Sequence, residues 1–467
     1  MSDCFIDQPT TDAIPIVAVT ADDLERWLAT QPERTSNWVG TSGYQGKAGS
    51  FLCIPNDDGR IACVLAGVDG SEPTWALGDG PSKLPAGVYR LPADWDAGRC
   101  EKAAIGWGLG AYRYTRYKAA NGELPRLSLA GLERPQRVRD VVEAVALTRD
   151  LINTPAEDLM PEQLAHSARA LAEAHGAEFF ELVGDELLST NFPCLHAVGR
   201  ASLHAPRLLD LRWGDPAHPR VTLVGKGVCF DSGGLDLKPS NAMRSMKKDM
   251  GGAAHVLGLA RLIMGAGLPL RLRVLIGAAE NAVSGNAFRP GDVLRSRKGL
   301  TIEVENTDAE GRLAICDALT EAVSEQPALL MDFTTLTGAA RVAVGTEIAA
   351  FFSNDDTLAA DLARHAGIDD DPVWRLPLHD GYRHELDSQI ADLLNCGTSS
   401  YAGAITAALF LKEFVPATTP WLHFDMMAWN LRARPGRPKG AEAMGVRAAF
   451  ALLEARFGTG AASAGRR

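Results

Sequence analysis

The chain lacks a basic excess: 47 Lys and Arg stand against 58 Asp and Glu, a formal net charge of -11 over 467 residues. Nonspecific nucleic-acid binding draws on a basic footprint, and residues 1–117 hold no Lys/Arg run, so that class is set aside. It also lacks a Cys-x-x-Cys pair. Cys4, Cys53, Cys63, Cys100, Cys194, Cys229, Cys316 and Cys396 are scattered through apolar context and read as buried free thiols of a reducing compartment. The usual single-zinc protease signature, His-Glu-x-x-His, is missing; His384-Glu385 has no second histidine. No Gly-x-Ser-x-Gly occurs, so a serine hydrolase has no nucleophile elbow. Gly225-Lys226-Gly227 is not followed by the residues of a phosphate loop. No apolar run is long enough to span a bilayer. Met1 to Thr20 places Asp3, Asp7, Asp12 and prolines where a secretion leader needs basic and then apolar residues. The expectation is a cytoplasmic protein with no membrane partner.

What the chain does have is acid and lysine in tight, glycine-rich stretches. Asn306-Thr307-Asp308-Ala309-Glu310-Gly311-Arg312-Leu313 sets two carboxylates and a guanidinium on alternate residues. Carboxylates aimed at one point repel unless a cation sits between them, and a divalent metal serves. The arginine then offers a fork for an anion beside that cation. The bland alternative is a capping box, Thr307-x-x-Glu310 ahead of Leu313, Ile315 and Leu319. Upstream, the apolar strand Val221–Val224 runs into Gly225-Lys226-Gly227 and then Asp231-Ser232-Gly233-Gly234, with Lys238-Pro239 beyond. Asp249 precedes an apolar run, where its bland role is an N-cap. Asp231, Asp249, Asp308 and Glu310 together bring four negative charges, which two divalent cations balance. Lys226 can add a nitrogen once a metal displaces its proton, leaving Lys238 and Arg312 as cations for substrate. His255, inside a predicted helix, and His423, on a strand-like run, read as structural rather than ligating.

Residues 12–117 alternate short apolar strands (Ile14–Val19, Phe51–Ile54, Ile61–Leu65, Gly87–Leu91) with helices at Asp22–Ala29 and Cys100–Tyr112. This predicts a small N-terminal α/β domain over 1–135. A linking helix is expected at about 137–151, opening a larger domain over 136–467. There, strands at Arg220–Val224, Leu270–Ala278 and Ala328–Phe333 alternate with helices at Met250–Ala266, Ala309–Ser324 and Ala404–Phe414. That pattern predicts a mostly parallel central sheet covered by helices. All three chemical stretches follow a predicted strand, and ligands bind beyond the carboxyl ends of such strands. The Gly/Ala/Ser tail from Gly458 to Arg467 is expected to be unstructured.

These ordered motifs resemble the leucyl (cytosol) aminopeptidases, two-metal exopeptidases. The likeness is carried by Val224–Gly234, Lys238-Pro239, Lys248–Ala254, Asn306–Leu313 and Thr335–Ala339, with Asn153-Thr154-Pro155 and Glu280-Asn281. It covers about Arg149 to Gly445. The resemblance implies one metal on Lys226, Asp231, Asp249 and Glu310. A second falls on Asp231, Asp308 and Glu310, with the Asp308 carbonyl. It implies that Lys238 steadies the oxyanion and that Arg312 holds a bicarbonate-like anion. The donor set admits Zn²⁺ or Mn²⁺ first, and Mg²⁺ or Co²⁺. The same resemblance implies peptide substrates, a homo-hexamer of two trimers, and a first-residue pocket of Met246, Thr335 and Gly338. Relatives commonly place a small alanine where this chain has Met427, which adds that side chain to the pocket. The competing reading is a DNA-binding or regulatory protein on the same scaffold, and the acidic balance speaks against it.

Overall fold

The computed structural model describes residues 4–8, 12–71, 73–120 and 122–458, so the tail from residue 459 lies outside the described residues. The chain forms two compact units. One is Met1–Ala146 with Leu431–Gly440; the other is Leu147–Asn430 with Ala441–Arg467.

The first unit is built on six strands: β1 (Phe5–Ile6), β2 (Ile14–Val19), β3 (Phe51–Pro55), β4 (Ile61–Gly67), β5 (Val88–Arg90) and β6 (Arg126–Ser128). Their order in the sheet is β1-β6-β5-β2-β4-β3, and only the β3–β4 pairing is antiparallel. β1 and β6 are too short to carry a period and escape pattern reading. Leu431–Gly440 belongs to this unit, with the Arg437 guanidinium 3.9 Å from the Trp75 ring. The helix α1 (Pro135–Asn153) runs from the first unit into the second.

The second unit holds an eight-stranded sheet. Its strands are β7 (Glu178–Val183), β8 (Arg207–Trp213), β9 (Arg220–Asp231), β10 (Arg271–Asn281), β11 (Leu329–Thr334), β12 (Ala349–Ser353), β13 (Val373–Arg375) and β14 (Trp421–Asp425). They lie in the order β13-β12-β14-β11-β9-β10-β8-β7. The centre, β14-β11-β9-β10, is parallel throughout. β8 and β7 on one side and β12 on the other pair antiparallel, so the sheet as a whole is mixed. The parallel centre is what the alternation of apolar strands and helices predicts. The sequence pattern does not foretell the antiparallel sense of the flanks, because pairing sense is set by neighbouring strands; β12 is buried along its length, whereas the edge strand β7 is partly exposed.

Helices α2 (Gly251–Gly265) and α3 (Glu310–Ser324) pack on the central strands and are buried along most of their length. That explains the near-continuous apolar sequence of α2. At its first turn α2 presses onto the backbone of two strands. A Cβ on Gly252 would stand 2.0 Å from the Phe333 carbonyl oxygen and 2.8 Å from the Lys226 amide nitrogen. Only a residue without a side chain lets the helix start there. Replacing Gly252 by alanine should therefore destabilise the fold by at least about 2 kcal/mol through overpacking. Chemical denaturation measures it, and an unchanged midpoint would refute the close-approach argument.

Candidate active site

The chemical stretches meet at the carboxyl ends of the central parallel strands. β9 delivers Lys226 and Asp231, the turn Met246–Met250 delivers Asp249, and the start of α3 delivers Glu310. Lys226 Nζ lies 2.6 Å from Asp249 Oδ2 and 2.9 Å from Glu310 Oε1. Lys238 Nζ lies 2.8 Å from Asp231 Oδ2 and also bonds Asp308 Oδ1. Carboxylate oxygens of Asp231, Asp308 and Glu310 all fall within 4.8 Å of one another. Four carboxylates thus crowd round two ammonium groups, leaving an excess of negative charge in a buried place.

That crowding shows in the proton affinities. Burial disfavours the Lys226 charge, yet Asp249, Glu310 and Asp231 hold its pKa above the ordinary lysine range. Burial, and then repulsion from Asp231, push Asp308 up to about 6 against the pull of Lys238. The same two causes push Glu310 up to about 8. Carboxylates that resist ionisation only because they are crowded and dry are well suited to a multivalent cation.

Both bland alternatives fail on geometry. The position before α3 is Ala309, with no side-chain cap bond. Thr307 instead donates its hydroxyl to the Gly233 carbonyl oxygen at 2.7 Å, and its amide donates to Asp236 Oδ2 at 2.7 Å. The threonine is used to tie two site loops together. Asp249 does not cap α2 either; the position before that helix is Met250. Asp249 Oδ1 accepts a 2.7 Å hydrogen bond from Thr335 Oγ1. His255 is structural, as expected. Its Nδ1 faces the Gly251 carbonyl oxygen at 2.6 Å and Nε2 accepts from the Met444 amide at 2.9 Å. His423 pairs with buried Asp332 at 2.5 Å.

Asn281 was not among the candidate side chains, although Glu280-Asn281 carries part of the family likeness. At the end of β10 it stands beside Asp231 in register. Its Nδ2 donates to Asp231 Oδ1 at 2.9 Å and to the Thr307 carbonyl oxygen at 3.1 Å. A polar residue closing an apolar strand next to the aspartate strand was the available signal.

Arg312 stands apart from the carboxylate cluster. Nη1 donates to the Asn395 carbonyl oxygen at 2.6 Å, and burial pushes its pKa down. Its Nε is buried without a hydrogen-bond partner among the described residues. The loops after β11 and β14 are neighbours. The Met426 amide donates to the Thr334 carbonyl oxygen at 3.0 Å, and the Thr337 amide and hydroxyl bond Asp425 at 3.0 and 2.6 Å. These loops carry Thr335, Gly338 and Met427. A Cβ on Gly251 would meet Ala428 Cβ at 2.7 Å and Thr335 Cγ2 at 3.0 Å, so the start of α2 closes on both. Met246 is buried at the head of the Met246–Met250 turn, Gly338 is exposed at the start of α4 (Gly338–Val344), and Met427 is half-buried beyond the end of β14.

The fold and this lysine–carboxylate centre define a metallo-aminopeptidase, a peptide hydrolase. The model of the cytosol aminopeptidase family catalytic domain matches residues 146–450, and that of the M17 aminopeptidase N-terminal domain matches residues 14–130. The chain belongs to the cytosol aminopeptidase family. A probable cytosol aminopeptidase of Syntrophotalea carbinolica is 43% identical over 364 residues, which is 74% of this chain and 73% of that protein. Peptidase B of Pectobacterium atrosepticum is 43% identical over 328 residues, 68% of this chain and 75% of that one. Among solved structures, the cytosol aminopeptidase of Coxiella burnetii superposes with a TM-score of 0.95 at 48% identity, covering 97% of this chain and 100% of that one. The bottromycin maturation enzyme BotP in complex with Mn superposes with a TM-score of 0.86 at 34% identity, covering 96% and 99%.

One glycine tests the centre directly. A Cβ on Gly311 would stand 2.5 Å from Lys226 Cε and 2.6 Å from its Nζ. Lys226 cannot swing aside without leaving Asp249 and Glu310. Gly311→Ala should lower kcat/KM by at least about tenfold, a loss of about 1.4 kcal/mol in transition-state stabilisation. Kinetics with circular dichroism as the fold control measures this. Wild-type turnover in a folded variant would show that the lysine is not held as tightly as its contacts imply.

Proposed function

We propose that this chain removes the first residue from peptides with a free amino end, using two divalent cations. The observation that carries the reading is the convergence of Asp231, Asp308 and Glu310 within 4.8 Å beside the Lys226–Asp249 pair. Lys226, Asp231, Asp249 and Glu310 would hold one cation. Asp231, Asp308 and Glu310, with the Asp308 carbonyl, would hold the other. When bound, the cations supply Lewis acidity that lowers the pKa of water and draws charge from the scissile carbonyl. The donor set is mostly oxygen with one amine, which fits Zn²⁺ or Mn²⁺ first and Mg²⁺ or Co²⁺ next; the manganese in the BotP complex supports the second of these.

The chain's own groups do the rest. Lys238, an ammonium already drawn to the carboxylates, steadies negative charge developing on the carbonyl oxygen. Asn281 fixes the Asp231 carboxylate and the Thr307 loop, so two ligand-bearing segments keep their spacing. Arg312, with an unpartnered buried Nε, would hold a bicarbonate-like anion that relays protons for the nucleophilic water. Met246, Thr335, Gly338 and Met427 receive the first side chain. The family resemblance extends this reading to a cytoplasmic homo-hexamer. No helix among the described residues is long and apolar enough to cross a membrane.

Chelation should abolish hydrolysis of aminoacyl anilides, and readdition of a single metal should restore it with about two ions bound per chain by elemental analysis. Undiminished turnover in the demetallated protein would sink the two-cation reading. Asp308→Ala and Glu310→Ala should each cost at least about a hundredfold. Lys238→Ala should lower kcat far more than it raises KM, since its charge acts mainly on the transition state. An effect confined to KM would reassign Lys238 to ground-state binding.

Met427 adds several heavy atoms to the pocket wall, and one methylene of misfit shifts discrimination by about 1–3 kcal/mol. Leucine should therefore not be uniquely favoured, and Met427→Ala should broaden acceptance of bulky first residues. The measurement is kcat/KM for alanyl, leucyl, methionyl and phenylalanyl substrates in both proteins. Identical ratios would remove Met427 from the pocket.

A further inference from the structure

Alternate residues of β7 and β8 face one way and build a cavity away from the carboxylate centre. Phe180 and Leu182 on β7 stand in register with Asp210 and Leu208 on β8, and Arg212 on β8 stands beside Arg273 on β10. With Phe192, Arg297 and Glu321 they line a space of about 350 Å³. Small-molecule sites span about 300–1,000 Å³. Glu321 is about three turns along α3 from Glu310, roughly 16 Å. Likewise β10 carries Arg273 near its start and Asn281 at its end.

Like charges directly opposite on neighbouring strands repel, so Arg212 and Arg273 need an acid between them. Asp210 supplies it, with Oδ2 2.8 Å from Nη2 of each. Arg273 Nη2 also donates to Glu321 Oε1 at 2.8 Å, and Arg297 Nη2 donates to Glu321 Oε2. The floor is thus a row of Arg212, Asp210, Arg273, Glu321 and Arg297 that alternates in sign and ends in a guanidinium on both sides. Its donors are not used up. Arg212 gives Nε and Nη2 to Asp210, leaving Nη1 without a bond among the described residues. The Arg273 side chain is 6% exposed, and its Nη1 is buried with no hydrogen-bond partner, Glu325 Oε1 standing 3.3 Å away. Arg220 and Arg271 line the adjoining crevice, so guanidiniums outnumber carboxylates here in a chain of net charge -11. Aromatic rings back the two end guanidiniums. Arg212 lies 5.7 Å from the Phe180 ring and Arg297 4.4 Å from the Phe192 ring. Phe180 is 54% exposed at the rim, a large apolar side chain that the fold leaves uncovered.

We propose that this cavity is a second ligand site, which binds a free amino acid with an apolar side chain. An amino acid carries its carboxylate and ammonium one carbon apart, as a row of alternating charge requires. The carboxylate takes the spare guanidinium nitrogens of Arg212 and Arg273, and the ammonium takes an acid of the row. The apolar side chain covers Phe180, Leu182 and Leu208, which no other part of the chain fills. The choice of an amino acid as occupant rests in part on the aminopeptidase reading, since such a molecule is what the enzyme releases. The cavity and its charges do not rest on it.

Calorimetry on the metal-free full chain tests this, with leucine, leucinamide and N-acetylleucine as probes. Leucine should bind at one site per chain. Leucinamide lacks the carboxylate and should bind at least about tenfold more weakly. N-acetylleucine lacks the ammonium and copies the carboxyl end of a peptide, the other source of this chemistry; it should weaken by a similar factor. Arg212→Gln should weaken leucine by at least about tenfold, and Phe180→Ser by a smaller factor. Both side chains are partly exposed, so the fold tolerates the changes, and circular dichroism checks it. Neither touches the carboxylate centre, so leucyl anilide turnover by the metal-loaded variants should match the wild type. No saturable leucine binding by the wild type overturns the site, as does binding that survives Arg212→Gln. N-acetylleucine binding as tight as leucine overturns the amino-acid occupant in favour of a peptide end. Leucyl anilide turnover by the loaded wild type reports on the enzyme itself, so a failed second site and a failed aminopeptidase reading give different patterns.

Discussion

Mutual repulsion among buried carboxylates is the constraint on which the rest of the second unit depends. Asp231, Asp249, Asp308 and Glu310 come from a strand end, a short turn, a loop and a helix start. Left to themselves they would drive these segments apart. The Lys226 and Lys238 ammonium groups hold them at 2.6–2.9 Å spacings where those are resolved as ordinary ion pairs. Two single positive charges do not neutralise four negative ones, and Asp308 and Glu310 respond by holding protons to about 6 and about 8. The fold has thus gathered charges that it does not itself balance. Such an arrangement costs stability, and structural ion pairs alone would not call for the third and fourth acid.

Holding those charges demands close backbone packing, and glycine provides it. Gly252 lets α2 begin against β9 and β11, and Gly311 leaves room for the lysine stem beside α3. Around them the polar groups that orient the acids are themselves fixed. Asn281 bridges Asp231 and the Thr307 carbonyl, Thr335 bonds Asp249, and Thr307 ties its own loop to Gly233 and Asp236. Asp231 and Asp249 are thus each met, besides the lysines, by a neutral donor that belongs to a different segment.

Legibility in the sequence followed the range of the interactions. The strands β2, β3, β4, β9 and β11 and the helices α2 and α3 were readable, because apolar period and glycine punctuation are local signals. The lysines and acids of the centre were readable too, because each lies in a short stretch whose charge makes little sense as surface. What could not be read depends on distant partners. Thr307 looks like a helix cap until Gly233 and Asp236 are seen beside it. Asn281 looks like a strand-end polar residue until it falls in register with Asp231. Nothing in Leu431–Gly440 announces that it packs with the first unit, since its Arg, Pro and Gly residues read only as a loop. The antiparallel flanks of the sheet were hidden for a similar reason, as pairing sense is set by neighbours rather than by composition.

The charges near the centre fall into two sets that obey different logic. Lys226 and Lys238 are surrounded by acids, which raise their proton affinity and keep them cationic. Lys248, the immediate neighbour of Asp249, experiences the opposite: burial and Arg341 lower its proton affinity, with Lys226 adding to the effect. A lysine so close to an excess of carboxylate would be expected to share in it. The fields of Asp249 and Asp425 offset that depression only in part, since Asp249 is already bonded to Lys226 and Thr335.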